Sequence, residues 1–278
     1  MKVSIEFDWR YPDDEITRQI RQWLKNTILN FILTILIVLI LPSFVYAAEV
    51  NPKFEHITAD QGLSQSGVSS IFQDSQGFMW FGTQDGLNKY DGYDFTIYKY
   101  NDLDCHSLSD NFITSIYEDK SGIIWIGTDG GGLNKFNRET EHFTRYMHDI
   151  DNPNSLGQNR VLSIYQDRFG TLWVGTDGGG LNKFDRETEQ FTRYQHNFDD
   201  PNSLSNDIIF SIYEDNLGTL WIGTGGGGLN KFNHRTGQFV HYKNNLSDPS
   251  SLSDDTVLSI HEDQSARLWI GTKNGGLN

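Results

Sequence analysis

The sequence lacks several features that would decide a class of function on their own. Its 278 residues include a single cysteine, Cys105, so an intramolecular disulfide is impossible. Asp and Glu number 37 against 22 Lys and Arg, which gives a formal net charge of -15, and the basic residues do not cluster. Because such a field repels phosphate backbones, we expect no nucleic-acid partner. The 37% of hydrophobic residues are nevertheless enough for a globular core.

One long apolar run stands out, between residues 28 and 48. Basic residues such as Lys25 precede it, and residues 45–47 have the small-residue pattern of a signal-peptide cleavage site. A cleaved signal peptide is the first interpretation. The alternative is an uncleaved membrane anchor helix, with residues 1–27 on the cytoplasmic side. Both interpretations predict a protein of the cell envelope whose remaining residues lie outside the cytoplasm, in the periplasm.

The rest of the chain is repetitive. Tryptophans in the frame SI(Y/F/H)(E/Q)D..(G/A)..W(I/V/F)GT recur after 45 residues once and after 48 residues three times, at Trp80, Trp125, Trp173, Trp221 and Trp269. In the unit around Trp173, apolar alternation predicts four short strands, called A to D, at residues 161–166, 172–176, 181–184 and 191–194. The glycine run 178–180 leads into a strand and not into a helix. It is therefore interpreted as a turn and not as a phosphate cradle.

Units of this length with no helices predict an all-β fold, a β-propeller of four-stranded blades. Blades are expected at about 66–100, 111–146, 159–194 and 207–242, with a partial blade at 255–278, inside a repeat region at 53–278. The repeated tryptophans are interpreted as packing between neighbouring blades. Residues 53–58 (KFEHIT) resemble strand D and are expected to be lent to another blade.

A tight Asp-x-x-Gly turn joins strands A and B in each unit, as at residues 167–170. In the fifth unit Ala266 stands in place of the glycine. If Ala266 keeps a positive φ, the substitution costs about 1 kcal/mol.

The motifs LWIGT, GGGLNKF and SIYED resemble the two-component regulator propeller repeat over most of 53–278. The resemblance implies the extracytoplasmic sensor region of bacterial hybrid or classical sensor histidine kinases, associated with the inner membrane. It also implies a longer receptor, with the chain as an N-terminal fragment that precedes the output module, and a homodimer in that receptor. No kinase residue is assignable to this chain, so we expect no catalytic residue, metal or cofactor in it.

Variation between the units is concentrated in the D–A and B–C loops, which lie on one face of a propeller. A scaffold position must repeat, whereas an asymmetric ligand is contacted differently by each blade. This predicts a site for a small polar ligand, saccharides included, formed by Asn111, Phe112, Asn159, Arg160, Asp207, Asp129 and Asp177. The alternative is that these are freely varying solvent loops. Acidic runs in the D–A loops, such as residues 148–156, are interpreted as turn chemistry and not as a calcium site.

Two other classes of function stay open. The propeller could be an interaction scaffold for an envelope protein, or, less favoured, a hydrolase or lyase. The repeated acidic pairs, such as Glu118 and Asp119, are adjacent on a strand and point to opposite faces, which is wrong for a shared acid–base pair.

Overall fold

The computed structural model describes residues 15–40 and 53–278. A helix, α1, spans Glu15–Ile40, and it belongs to a different unit from the repeats. It includes the first part of the apolar run and begins earlier than the run does. Among the described residues, no helix combines the length and the apolar character needed to span a bilayer. The predicted cleavage site at 45–47 lies outside the described residues.

The repeats form antiparallel sheets whose strands follow one another in chain order. After a short 3-10 helix at Ala59–Gln61, the first two blades contain β1 (Val68–Gln73), β2 (Met79–Thr83), β3 (Gly86–Tyr90), β4 (Phe95–Tyr98), β5 (Ile113–Glu118), β6 (Ile124–Thr128), β7 (Leu133–Phe136) and β8 (Phe143–Tyr146). The others contain β9 (Val161–Gln166), β10 (Leu172–Thr176), β11 (Leu181–Asp185), β12 (Gln190–Tyr194), β13 (Ile209–Glu214), β14 (Leu220–Thr224), β15 (Leu229–Asn233), β16 (Gln238–Tyr242), β17 (Val257–Glu262), β18 (Leu268–Thr272) and β19 (Gly276–Leu277). The predicted fold, a β-propeller with four complete blades and one partial blade, is confirmed.

Each A–B turn is closed by its aspartate. In the third blade, Asp167 Oδ1 accepts hydrogen bonds from the backbone N–H groups of Phe169 and Thr171. Gly170 has φ +85°, a conformation that costs glycine little. Ala266 has φ +58° at the same position of the fifth blade, so the condition under which a cost was expected is met.

Packing between blades depends on the tryptophans, as predicted. Trp80, Trp125 and Trp173 are almost completely buried. Each meets the edge of a phenylalanine in the next blade, and the Trp125–Phe184 ring centroids are 5.2 Å apart. The backbones approach closely here: a Cβ on Gly175 would lie 2.6 Å from Ile209 Cγ2 of the next blade. Only glycine fits at that position of strand B.

The fifth blade has three strands among the described residues. Residues 53–58 were predicted to be a lent outer strand, but they form no strand, and Phe54 is 82% exposed. The prediction was wrong for this structure. Among the described residues, the sheet of the fifth blade consists of β17, β18 and β19, and residues 53–58 do not pair with it.

Candidate functional site

The D–A and B–C loops meet at one edge of the second, third, fourth and fifth blades. The backbone N–H of Asp129 donates to the carbonyl of Phe112 at 2.9 Å, and Asp177 makes the same bond to Arg160. Gly225 and Lys273 repeat it with Ile208 and Thr256. The structure therefore brings the two variable loop positions together in the second to fifth blades, and their contact with a ligand stays a prediction.

Arg160 connects two of these blades. Its Nε donates to Asp129 Oδ1 at 2.6 Å, and its Nη1 donates to Asp177 Oδ2 at 2.7 Å. The Arg160 side chain is 49% exposed, so the group is reachable from solvent. The hydrogen bond to Asp177 and the charge of Asp129 raise the pKa of the guanidinium. With two carboxylates around one guanidinium, this part of the site carries a net negative charge.

Three other predicted residues hold the loops in place. The side-chain Oδ1 atoms of Asn111, Asn159 and Asp207 accept backbone N–H bonds of 2.6 to 2.7 Å from the start of their own D–A loop. Their carbonyls accept N–H bonds from glycines of the preceding blade. Asp255 closes the last loop in the same way. These contacts explain why an Asn or Asp recurs there, and a role in ligand contact stays a prediction for them.

The carboxylates on the opposite face are structural. Asp74 and Asp119 are buried, and each accepts a 2.8 Å bond from the indole Nε1 of its own blade and a 2.7 Å bond from an arginine of the next blade. Burial by itself raises their pKa, but the bonds from tryptophan and arginine outweigh it and hold the pKa of both below 3.8. Glu118 pairs with Arg138 and Ser75 instead of with Asp119. In the described part of the chain, no group of three or more His, Cys, Asp or Glu could hold a metal ion.

One recurring feature was missed in the sequence. A large apolar residue stands among the turn-forming residues of each long D–A loop, at Leu103, Ile150, Phe198 and Leu246. All four are at least 86% exposed. The sequence could have shown this feature, because an apolar residue recurs at a position where turns usually have a polar residue.

The protein-family model described as two component regulator propeller matches four segments of the chain, residues 62–85, 107–130, 155–178 and 203–226. Each match covers strands A and B with the turn between them. The chain contains two-component regulator propeller repeats.

Relatives of these repeats are found in signalling proteins. A curated relative, Histidine kinase P4 of Formosa agariphila, is 49% identical over 63 residues, which is 23% of this chain and 5% of the kinase. Two solved structures similar to this chain are extracellular domains of proteins from B. thetaiotaomicron that are described as hybrid two-component systems. For BT4673 the TM-score is 0.66 at 27% identity, covering 82% of this chain and 33% of that one. For BT3049 the TM-score is 0.50 at 27% identity, and the match covers 80% of this chain and 41% of that one. The chain thus spans well under half the length of each of these three relatives.

Proposed function

We propose that the chain is the extracytoplasmic sensing region of a two-component receptor of the sensor histidine kinase type. The observation that carries the proposal is the likeness of the propeller, over four fifths of the chain, to the extracellular domain of a hybrid two-component system. The matched repeats support the same assignment. The apolar segment at 28–48 then directs the propeller to the periplasm, as a signal peptide or as an anchor in the inner membrane.

The location is testable with a fusion. Alkaline phosphatase joined after Asn278 is expected to be active in cells, because that enzyme matures only outside the cytoplasm. Deletion of residues 1–48 should abolish the activity. Equal activity of both fusions would contradict the proposal. Membrane fractionation combined with N-terminal sequencing separates the cleaved form from the anchored form.

The proposed ligand is small, uncharged and rich in hydroxyl groups, a class that includes saccharides. Arg160 already shares two of its five N–H donors with Asp129 and Asp177. An anionic ligand would have to displace one carboxylate and face the other. A hydroxyl group avoids this conflict, since it accepts from the remaining guanidinium donors and donates to the carboxylates. Phe112, whose backbone is bonded to Asp129, would contribute an apolar contact.

Calorimetry on the full chain tests this site. Neutral mono- and oligosaccharides should bind, whereas the matching uronic acids should bind at least about tenfold more weakly. We expect Arg160→Ala and Phe112→Ala to weaken the neutral ligand by a similar factor. Arg235→Ala, an exposed position on a C–D turn of the opposite face, is the matched control and should leave affinity unchanged. Unchanged affinity in both loop variants would exclude the site, and a preference for the acids would contradict the charge argument.

A further inference from the structure

The D–A loops hold four apolar side chains almost entirely in solvent. The exposed fractions are 91% for Leu103, 86% for Ile150, 93% for Phe198 and 98% for Leu246. Single exposed hydrophobic residues are ordinary on a protein surface. Here, however, one such residue recurs in each of four successive loops, and we call the set the loop-tip row.

All four side chains occupy the same local structure. In residues 149–155 two turns follow each other, closed by Asn152 N–H to the Asp149 carbonyl and by Ser155 N–H to the Asn152 carbonyl. The same two bonds recur in residues 101–107, 197–203 and 245–251. The apolar residue is second in the first turn of three loops, and Leu103 is third in the remaining one.

The loops are held in place by hydrogen bonds. Ser155 Oγ accepts the N–H of Asp149 at 2.8 Å. Arg193, on strand D of the third blade, donates to the carbonyls of Ser155 and Asn152 at 2.8 and 2.9 Å. Arg145 donates to the carbonyls of Ser107 and Asp104 in the same way, and His241 Nε2 bonds to the Ser203 carbonyl at 2.7 Å. A partner would therefore meet side chains whose backbone is already ordered, which lowers the entropic cost of binding.

The fold does not require an apolar residue at the loop tips. A polar residue suits a turn position that buries nothing. An apolar side chain there gains the roughly 1.5–3 kcal/mol of burial only when something covers it. The A–B turns of the opposite face provide the contrast. There Phe169 and Leu217 are also exposed, but the same position holds Gln76, Ser121 and Ser265 in the other blades. An exposed apolar residue therefore recurs in all four long D–A loops but in only two of the five A–B turns.

The residues next to each apolar tip in the sequence are acidic. Carboxylates lie within two residues of each apolar tip, at Asp102, Asp104, Asp149, Asp151, Asp199, Asp200 and Asp248. Anionic membrane surfaces repel such a pattern, and so does the same surface of a second copy. A basic surface complements it. We propose that the loop-tip row docks a protein whose matching surface is basic and contains apolar pockets, through residues other than those of the ligand site around Arg160.

The single cysteine makes the test site-specific. Cys105 is exposed and lies two residues from Leu103, so the full chain can be labelled there with an environment-sensitive dye. The probes are a short peptide of alternating lysine and leucine, an oligolysine of equal charge, and phosphatidylcholine vesicles with and without phosphatidylglycerol. We expect the lysine–leucine peptide to bind at least tenfold more tightly than oligolysine and to lose affinity as salt is raised.

The row is then removed in a variant carrying Leu103→Ser, Ile150→Ser, Phe198→Ser and Leu246→Ser. We expect it to lose at least tenfold in affinity for the lysine–leucine peptide. The matched control carries Phe169→Ser and Leu217→Ser on the opposite face and should bind like the unmodified chain. An equal loss in both variants would overturn the proposal. So would vesicle binding that depends on the row, or self-association in sedimentation experiments that only the row variant abolishes.

Discussion

Arg186 Nη2 donates to Asp119 Oδ2 at 2.7 Å across the boundary between the third blade and the second. The Asp119 side chain is completely buried, and the same oxygen accepts Trp125 Nε1 at 2.8 Å. One carboxylate therefore connects its own turn, the tryptophan of its blade and the next blade along the chain. Arg138 and Asp74 repeat the arrangement one boundary earlier.

Arg186→Ala should destabilise the chain by about 1–3 kcal/mol. Removing one partner of a fully buried ion pair costs about 3–5 kcal/mol, but Arg186 is 32% exposed and water will solvate part of the site. The measurement is the free energy of unfolding from urea titration. Arg235→Ala, an exposed arginine on the C–D turn of the fourth blade, is the control and should change stability by less than about 0.5 kcal/mol. Equal stability of the two variants would show that the pair contributes nothing.

Acid should weaken the propeller through the same carboxylates. The pKa of Asp74 and of Asp119 is lower in the folded chain than the ordinary value of 3.8. Their stabilising contribution is therefore complete above 3.8 and is lost as pH falls through the lowered folded values, because the unfolded state binds more protons there. Urea titrations from about pH 5 to about pH 3 should show a falling free energy of unfolding. In Asp119→Asn the slope should be smaller, and an unchanged slope would remove Asp119 from the explanation.

The elements that sequence patterns predicted best are the ones determined by local chemistry. The strands predicted at 161–166 and 172–176 coincide with β9 and β10, and those at 181–184 and 191–194 differ from β11 and β12 by one residue each. Apolar alternation and the Asp-x-x-Gly turn act within a few residues, and the repeats provide several examples of each.

Contacts between residues far apart in the sequence were harder to predict. The ion pairs of Arg160 join residues 17 and 31 positions away, and no local pattern identifies them. The side chains of Asn111, Asn159 and Asp207 look available in the sequence, yet backbone N–H groups 11 positions earlier use them. The exposure of the loop-tip row depends on how the loops fold back, which apolar periodicity does not describe.

Ala266→Gly should stabilise the chain by about 1 kcal/mol, because alanine at φ +58° carries a steric penalty that glycine avoids. The reverse change is the control. Gly170→Ala places an alanine at φ +85°, where the nearest atom to the new Cβ would be Gln166 Nε2 at 3.8 Å. The substitution therefore creates no steric clash, and Gly170→Ala should lower the free energy of unfolding by about 1 kcal/mol. Thermal unfolding of the full chain provides both values, and a destabilising Ala266→Gly would refute the argument.

The last prediction concerns Glu189, which has φ +54° and bonds to the preceding blade. Its Oε1 accepts the hydroxyl of Tyr146 at 2.9 Å. Glu189→Ala removes this bond but keeps the strained backbone, so we expect a loss of about 1 kcal/mol. Glu189→Gly also removes the bond but relieves the strain, so its stability should lie within about 0.5 kcal/mol of the unmodified chain. The fourth blade has Gly237, at φ +71°, in the equivalent position, which shows that the fold accepts this solution.

A double-mutant cycle separates the two contributions. Tyr146→Phe removes only the hydroxyl, so it should cost about as much as Glu189→Ala. In the Tyr146→Phe background, Glu189→Ala should then cost almost nothing further, because the bond is already absent. In the same background Glu189→Gly should stabilise the chain by about 1 kcal/mol, since the only remaining change is in the backbone. Additive losses for Tyr146→Phe and Glu189→Ala would mean that the carboxylate stabilises the blade boundary through a contact other than Tyr146, and the ion pair with Lys135 at 3.4 Å would then be the contact to remove next.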